Sequence, residues 1–140
     1  MTVVVVDTNL WIYLFTDQDV EKKQVIKQIT KSFSAKNQIV ISTQIYKEIA
    51  RVLKDKIKLS NREILEILSA IERLALIYPE MPQDIKTALE IKERYKLQFF
   101  DSVIIAFCLR KKVKVLLTED ISISKITYRE RSINLVNPLQ

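Results

Sequence analysis

Four consecutive β-branched residues, Val3-Val4-Val5-Val6, run directly into Asp7. A strand with one wet face alternates apolar and polar residues; an unbroken run has to bury both faces. That happens chiefly in a parallel sheet covered by helices on either side. Further short apolar runs, Ile39-Val40-Ile41, Val113–Leu117 and Ile133–Val136, predict companion strands. Ala75–Tyr78 predicts another short one, closed by Pro79 and Pro82.

Helical patterns fill the intervals. Leu10–Phe15 reads as one or two helical turns, and Asp19–Phe33 carries Val20, Val25, Ile26, Ile29 and Phe33 at helical spacing. Ser42 or Thr43 offers an N-cap for a helix through about Leu53. Ser60-Asn61-Arg62-Glu63 is a capping box that opens an amphipathic helix. Asp84–Tyr95 reads as helix, and Asp101–Arg110 is apolar nearly all round, the mark of a buried one. Strands alternating with helices imply an α/β sandwich with a largely parallel sheet covered on both sides. No repeat, linker or low-complexity tract interrupts the 140 residues, so residues 1–140 are expected to form a single domain.

Two missing residue types narrow the chemistry. The chain has no histidine, which removes His-based triads, a His general base and HExxH zinc sites. It has no glycine, which removes the P-loop and the GxGxxG turn, since both need backbone that glycine supplies. The single cysteine, Cys108, has no partner for an internal disulfide and lies in an apolar run, so it is expected to be a small buried hydrophobe. Catalysis is left to carboxylates, hydroxyls, amides, lysines or a bound hard metal. The N-terminal segment lacks a basic start and is cut short by Asp7, so no signal peptide is expected, and no apolar run approaches the length of a membrane span. A cytoplasmic protein is the simplest expectation.

The net charge is +6, with 23 Lys and Arg against 17 Asp and Glu. If some acids are committed to a metal site, the remaining surface is more basic still, suited to a polyanion.

Four acids occupy positions where the pattern places them near strand or helix ends. Asp7 sits at the mouth of the first strand, followed by Thr8 and Asn9; it would serve equally as a helix N-cap. Glu48 borders the apolar stripe of Ile45, Ile49 and Val52, where its plain role is a pair with Arg51. Asp101 opens the apolar helix, as cap, ligand or both. Asp120 ends Leu117-Thr118-Glu119-Asp120 just past a strand. Which of Glu119 and Asp120 turns inward is open, though strand alternation gives Thr118 and Asp120 the same side. Ligands in α/β sheets sit outside the carboxyl ends of the strands. Carboxylates gathered there repel by roughly 4 kcal/mol per close pair at an effective dielectric near 20 unless cations hold them. Oxygen-only donors favour Mg²⁺ or Mn²⁺, and a pair of such ions can drive in-line displacement at a phosphodiester without any histidine.

The chain resembles the PIN-domain family, most of all the VapC-type toxins of toxin–antitoxin pairs. The resemblance lies in Val6-Asp7-Thr8-Asn9, in Glu48 on its helix, in Phe100-Asp101-Ser102 opening an apolar helix, and in Thr118-Glu119-Asp120 after a late strand. The closing Ile133–Pro138 also looks like that branch's terminal strand. It implies a Rossmann-like three-layer α/β/α sandwich with a mostly parallel sheet, Mg²⁺- or Mn²⁺-dependent RNA cleavage, a cognate antitoxin protein, and frequent homodimers through the N-terminal helices. By analogy Asp7, Glu48, Asp101 and Asp120 are the metal-site and catalytic carboxylates, with Thr8, Asn9 and Thr118 in support. Missing glycines near the last motif, and Ser102 where alanine is common, depart from the pattern without removing an acid. The competing expectation is a PIN-fold module that binds RNA or protein without turnover. A haloacid-dehalogenase-type phosphatase is disfavoured because Asn9 stands where its second aspartate is needed, and a receiver domain because Ser42, not aspartate, follows the second strand.

Overall fold

The computed structural model describes residues 2–140. Among them are six helices and six strands in the order β1 (Val4–Val6), α1 (Thr8–Phe15), α2 (Val20–Ser34), β2 (Ile39–Ser42), α3 (Thr43–Asp55), α4 (Asn61–Leu74), β3 (Leu76–Tyr78), α5 (Pro82–Tyr95), α6 (Phe99–Arg110), β4 (Val115–Leu117), β5 (Lys125–Tyr128) and β6 (Arg131–Val136). The sheet order is β3-β2-β1-β4-β6-β5. Every pairing is parallel except that of β5 with β6. The fold is a three-layer α/β sandwich, as the alternation of elements implies.

The valine run sits where its composition requires. β1 is central, hydrogen-bonded to β2 on one side and β4 on the other, and all three of its residues are buried. From β1 the chain steps outward through β2 to β3, then crosses back to β4. With right-handed crossovers, that reversal puts α1–α4 on one face and α5–α6 on the other. Packing agrees: α1 lies against α2 and α3, α3 against α4, and α5 against α6. The boundary between β1 and β4 is therefore the topological switch point, where loops leave in opposite directions and open a crevice.

Local signals explain most element ends. Asp19 and Ser42 cap α2 and α3 through side-chain bonds to Lys22 and Ile45 N–H groups. Ser60 and Glu63 form the expected reciprocal box at α4. Helix α6 departs from the pattern: it begins at Phe99 with Gln98 as N-cap. Asp101 thus lies within the first turn and is not the cap its position in the sequence indicates. Likewise α5 begins at Pro82, with the Asp84 carboxylate accepting from the Met81 N–H at 2.8 Å.

Strand β5 has no counterpart in the sequence pattern. It pairs with β6 through a tight turn in which Tyr128 faces Arg131 across the ladder. The intervening Arg129 has φ 55°, a conformation that a two-residue hairpin ordinarily marks with glycine or asparagine. The same substitution recurs at helix ends. Asn37, Lys96 and Lys112 all have positive φ. After them Gln38, Leu97 and Val113 N–H groups reach back to the carbonyls of Phe33, Lys92 and Cys108. These are Schellman closures made without glycine. The third also trims β4, which starts at Val115 rather than Val113.

One ion pair between a buried aspartate and a partly exposed arginine locks the α5–α6 layer. Asp84, 1% exposed, receives Arg110 Nε at 2.8 Å and a second guanidinium nitrogen at 3.0 Å. Arg110 also donates to the Pro79 carbonyl. The bidentate fork satisfies a carboxylate that would otherwise be stranded. Cys108 is fully buried, as its apolar surroundings imply. No described helix is long and apolar enough to cross a membrane.

Candidate metal centre

The crevice at the switch point is a cavity of about 550 Å³ whose lining includes Asp7, Asp101 and Asp120. Each arrives from a different element. Asp7 follows β1 and caps α1, its Oδ1 accepting from the Thr8 N–H at 2.8 Å. Its own N–H donates to Leu117 of β4, and the Trp11 indole N–H donates to the Val6 carbonyl. Both faces of its backbone are therefore pinned.

Thr118 completes the arrangement. Its hydroxyl donates to Asp7 Oδ2 at 2.8 Å and accepts from the Asp120 N–H at 3.2 Å. The Thr118 N–H is held in turn by Val136 of β6. Asn9 Nδ2 donates to Asp120 Oδ2 at 3.0 Å, so each of the two segments donates to the other's aspartate.

Electrostatics register the crowding. Burial pushes the Asp7 carboxyl up to about 6, against the pull of its bonds from Thr8 and Thr118, with repulsion from Asp101 and Asp120 adding to the rise. Burial and the charge of Asp120 likewise raise Asp101. Asp120 is raised by burial and by Glu119, and lowered by Asn9. A site that lifts three carboxylates together is one that a cation would relieve.

The two acidic positions left open by the sequence separate cleanly. Glu119 turns away from the cavity. Its Oε1 accepts from the Tyr13 hydroxyl at 2.5 Å, and its Oε2 lies 3.4 Å from Lys22 Nζ. Asp120 lines the cavity. Glu48 also lines it, but its carboxylate is engaged by Arg51 at 2.7 and 3.3 Å, and that pairing lowers its pKa. The plain i,i+3 pair and a place on the cavity wall thus coexist in one residue.

The donor set fits a hard divalent ion: all oxygen, with no histidine or free thiol at the cavity. Among the described residues, no three acids are drawn together tightly enough to form a finished chelate. Asp101 accepts no hydrogen bond among the described residues, so no protein donor competes for its carboxylate oxygens.

A family model for the PIN domain matches residues 4–127. The chain belongs to the PIN-domain family. Solved structures of similar fold include three toxins or toxin complexes. VapC20 of Mycobacterium tuberculosis, a sarcin-ricin loop cleaving toxin, superposes with a TM-score of 0.68 at 17% identity, over 84% of this chain and 89% of that one. A toxin–antitoxin complex from Klebsiella pneumoniae gives 0.68 at 18%, over 96% and 97%. VapBC2 from Rickettsia felis, bound to a DNA fragment from their promoter, gives 0.63 at 16%, over 86% and 90%. At such identities the likeness concerns the fold. Comparison with curated sequences finds no match.

Sequence patterning missed the rest of the cavity wall in this PIN domain. Gln44, Lys47, Gln98 and Phe100 all line it. None stands out in one dimension, because exposed amides and lysines at helix ends are ordinary. Glu80 was also hidden: its carboxylate accepts from the Gln44 N–H at 2.9 Å and so anchors the start of α3 beside the cavity. Ser102 is fully buried, and its hydroxyl is satisfied by the Gln98 carbonyl at 2.9 Å, so the departure from alanine leaves no unmet polar group.

Proposed function

We propose that this PIN domain is a divalent-metal-dependent endoribonuclease, the toxin of a toxin–antitoxin pair. The observation that carries the reading is the meeting of Asp7, Asp101 and Asp120, distant in sequence, in one cavity where their pKa values are raised. These three residues would hold Mg²⁺ or Mn²⁺, with Glu48 at the rim as a fourth carboxylate. When bound, such ions supply water activation and charge stabilisation for in-line displacement at phosphorus.

The protein's own groups do the positioning. Thr8 and Thr118 fix both oxygens of Asp7, and Asn9 orients Asp120. Lys47 and Arg51 bring positive charge to the wall of an otherwise repulsive pocket, and the +6 chain draws a polyanion toward it. The choice of RNA as substrate, a cognate antitoxin as partner and the cytoplasm as location follow the family likeness. Val20 and Val25 stay exposed on α2, apolar surface of the kind a second copy would cover in a homodimer.

The test is cleavage of total RNA with Mg²⁺ or Mn²⁺, with EDTA and Asp7→Asn as controls. Cleavage by Asp7→Asn at the wild-type rate would remove the proposal. A small upstream reading frame encoding a DNA-binding protein would support the toxin role. The second reading, a binding module without turnover, draws on the hold of Arg51 over Glu48. Calorimetry decides between them, since that reading predicts no uptake of Mg²⁺ or Mn²⁺.

A further inference from the structure

Phe100 is the most exposed large hydrophobic side chain among the described residues, with 67% of its surface accessible, and it lies on the wall of the acidic cavity. It immediately precedes Asp101 in the first turn of α6, so ring and carboxylate are set by the same stretch of helix. The ring is also braced. Phe99 meets it edge-to-face, with centroids 5.4 Å apart and planes at 69°, and Phe99 itself packs against the core. The Phe100 carbonyl accepts from Gln44 Nε2 at 3.4 Å, which ties this corner of α6 to α3.

A braced aromatic at the mouth of a polar pocket is poorly matched to an apolar protein anchor, which needs apolar neighbours to exclude water. Here the exposed part of the wall is made by Gln44, Gln98, Lys47 and Arg51, while its two aliphatic residues, Ile45 and Ile104, are buried. Amides pair with base edges and cations with phosphates, and an aromatic plane stacks on any unpaired base. Bases held in a duplex cannot offer a free face to it.

We propose that Phe100 is a stacking platform for an unpaired nucleobase next to the scissile phosphate, so that the site takes single-stranded or looped RNA in preference to duplex. The inference rests on the ribonuclease reading and adds to it a residue that selects the form of the substrate.

The test uses the whole chain and one single-stranded oligoribonucleotide, free or annealed to its complement, with Mn²⁺. Phe100→Ala should raise KM for the single strand about 10-fold, with kcat changed by less than about 3-fold. Phe100→Trp should keep wild-type KM, and Phe100→Leu should behave as Phe100→Ala. The native tryptophan, Trp11, is buried, so new exposed fluorescence in Phe100→Trp should be quenched by the oligonucleotide, a binding signal that needs no turnover. Leucine performing as well as tryptophan would overturn stacking in favour of plain apolar contact. So would unchanged RNA kinetics in Phe100→Ala. Wild-type protein that cuts no RNA while the quench persists would defeat the ribonuclease reading and support the platform; cutting indifferent to residue 100 would do the reverse.

Discussion

Asp7 and Thr118 stand 111 residues apart and are joined by a buried 2.8 Å hydrogen bond in which the threonine hydroxyl donates to Asp7 Oδ2. Because the same hydroxyl accepts from the Asp120 N–H, one small side chain spans two of the three aspartates. Its removal tests the arrangement directly. Thr118→Val should destabilise the fold by about 1–2 kcal/mol and reduce RNA cleavage at least about 10-fold. Thr118→Ser should recover most of both. Urea unfolding and single-turnover cleavage are the measurements.

The raised pKa of Asp7 gives a pH signature in metal-free protein. The folded state holds this proton up to about pH 6, while the unfolded chain releases it near 3.8. Between those values the native state binds more protons, so stability falls as pH rises. Above pH 6 the ionised, buried carboxylate costs roughly 3 kcal/mol relative to acid conditions. Asp7→Asn should therefore equal wild type near pH 4 and exceed it increasingly toward pH 7 in EDTA. Parallel urea midpoints across that range would show that Asp7 does not titrate as described.

Asp101 accepts no hydrogen bond among the described residues, and burial and Asp120 both raise its pKa. Asp101→Asn should melt slightly higher than wild type without metal, by less than about 1 kcal/mol given its partial exposure, yet lose cleavage. Mg²⁺ or Mn²⁺ should raise the melting temperature of wild type and leave that of the variant nearly unmoved. A lower metal-free melting temperature for the variant would assign Asp101 a structural role.

The Asp84–Arg110 fork lies away from the metal centre, and its removal should separate folding from chemistry. Asp84→Ala leaves Arg110 without its carboxylate and the Met81 N–H without an acceptor. A loss of about 1–3 kcal/mol is expected, since the guanidinium left behind is partly solvated. At temperatures where the variant is still folded, its kcat should match wild type.

Left-handed caps made from lysine carry strain that glycine would not. Lys96 and Lys112 have φ 57° and 58°, and both are exposed. Lys96→Gly and Lys112→Gly should each raise stability by about 1 kcal/mol or less, since relief of the Cβ clash is partly offset by a more flexible unfolded chain. Denaturant midpoints of the single and double variants are the check, and the two effects should add.

Much of this molecule can be read along the chain. The valine run dictates a central strand because an uninterrupted apolar run has nowhere else to go, although only Val4–Val6 enter it and Val3 stays partly exposed before it. Ser42 and the Ser60–Glu63 box fix helix starts through bonds that span only three residues. The lack of histidine and glycine leaves a short menu of chemistry in which carboxylates and a hard metal stand foremost. What tertiary structure decided are relations between segments. Glu119 and Asp120 are neighbours in sequence, and their opposite fates depend on Tyr13 and Lys22, supplied by α1 and α2. Asp101 is drawn inside its helix because α6 starts at Phe99, which packs on the core. Strand β5 forms because β6 offers an edge, with no turn signal in Arg129-Glu130 to announce it. Periodicity and capping are local and so survive in one dimension; the direction of a carboxylate past a strand end is set by whatever distant partner meets it there.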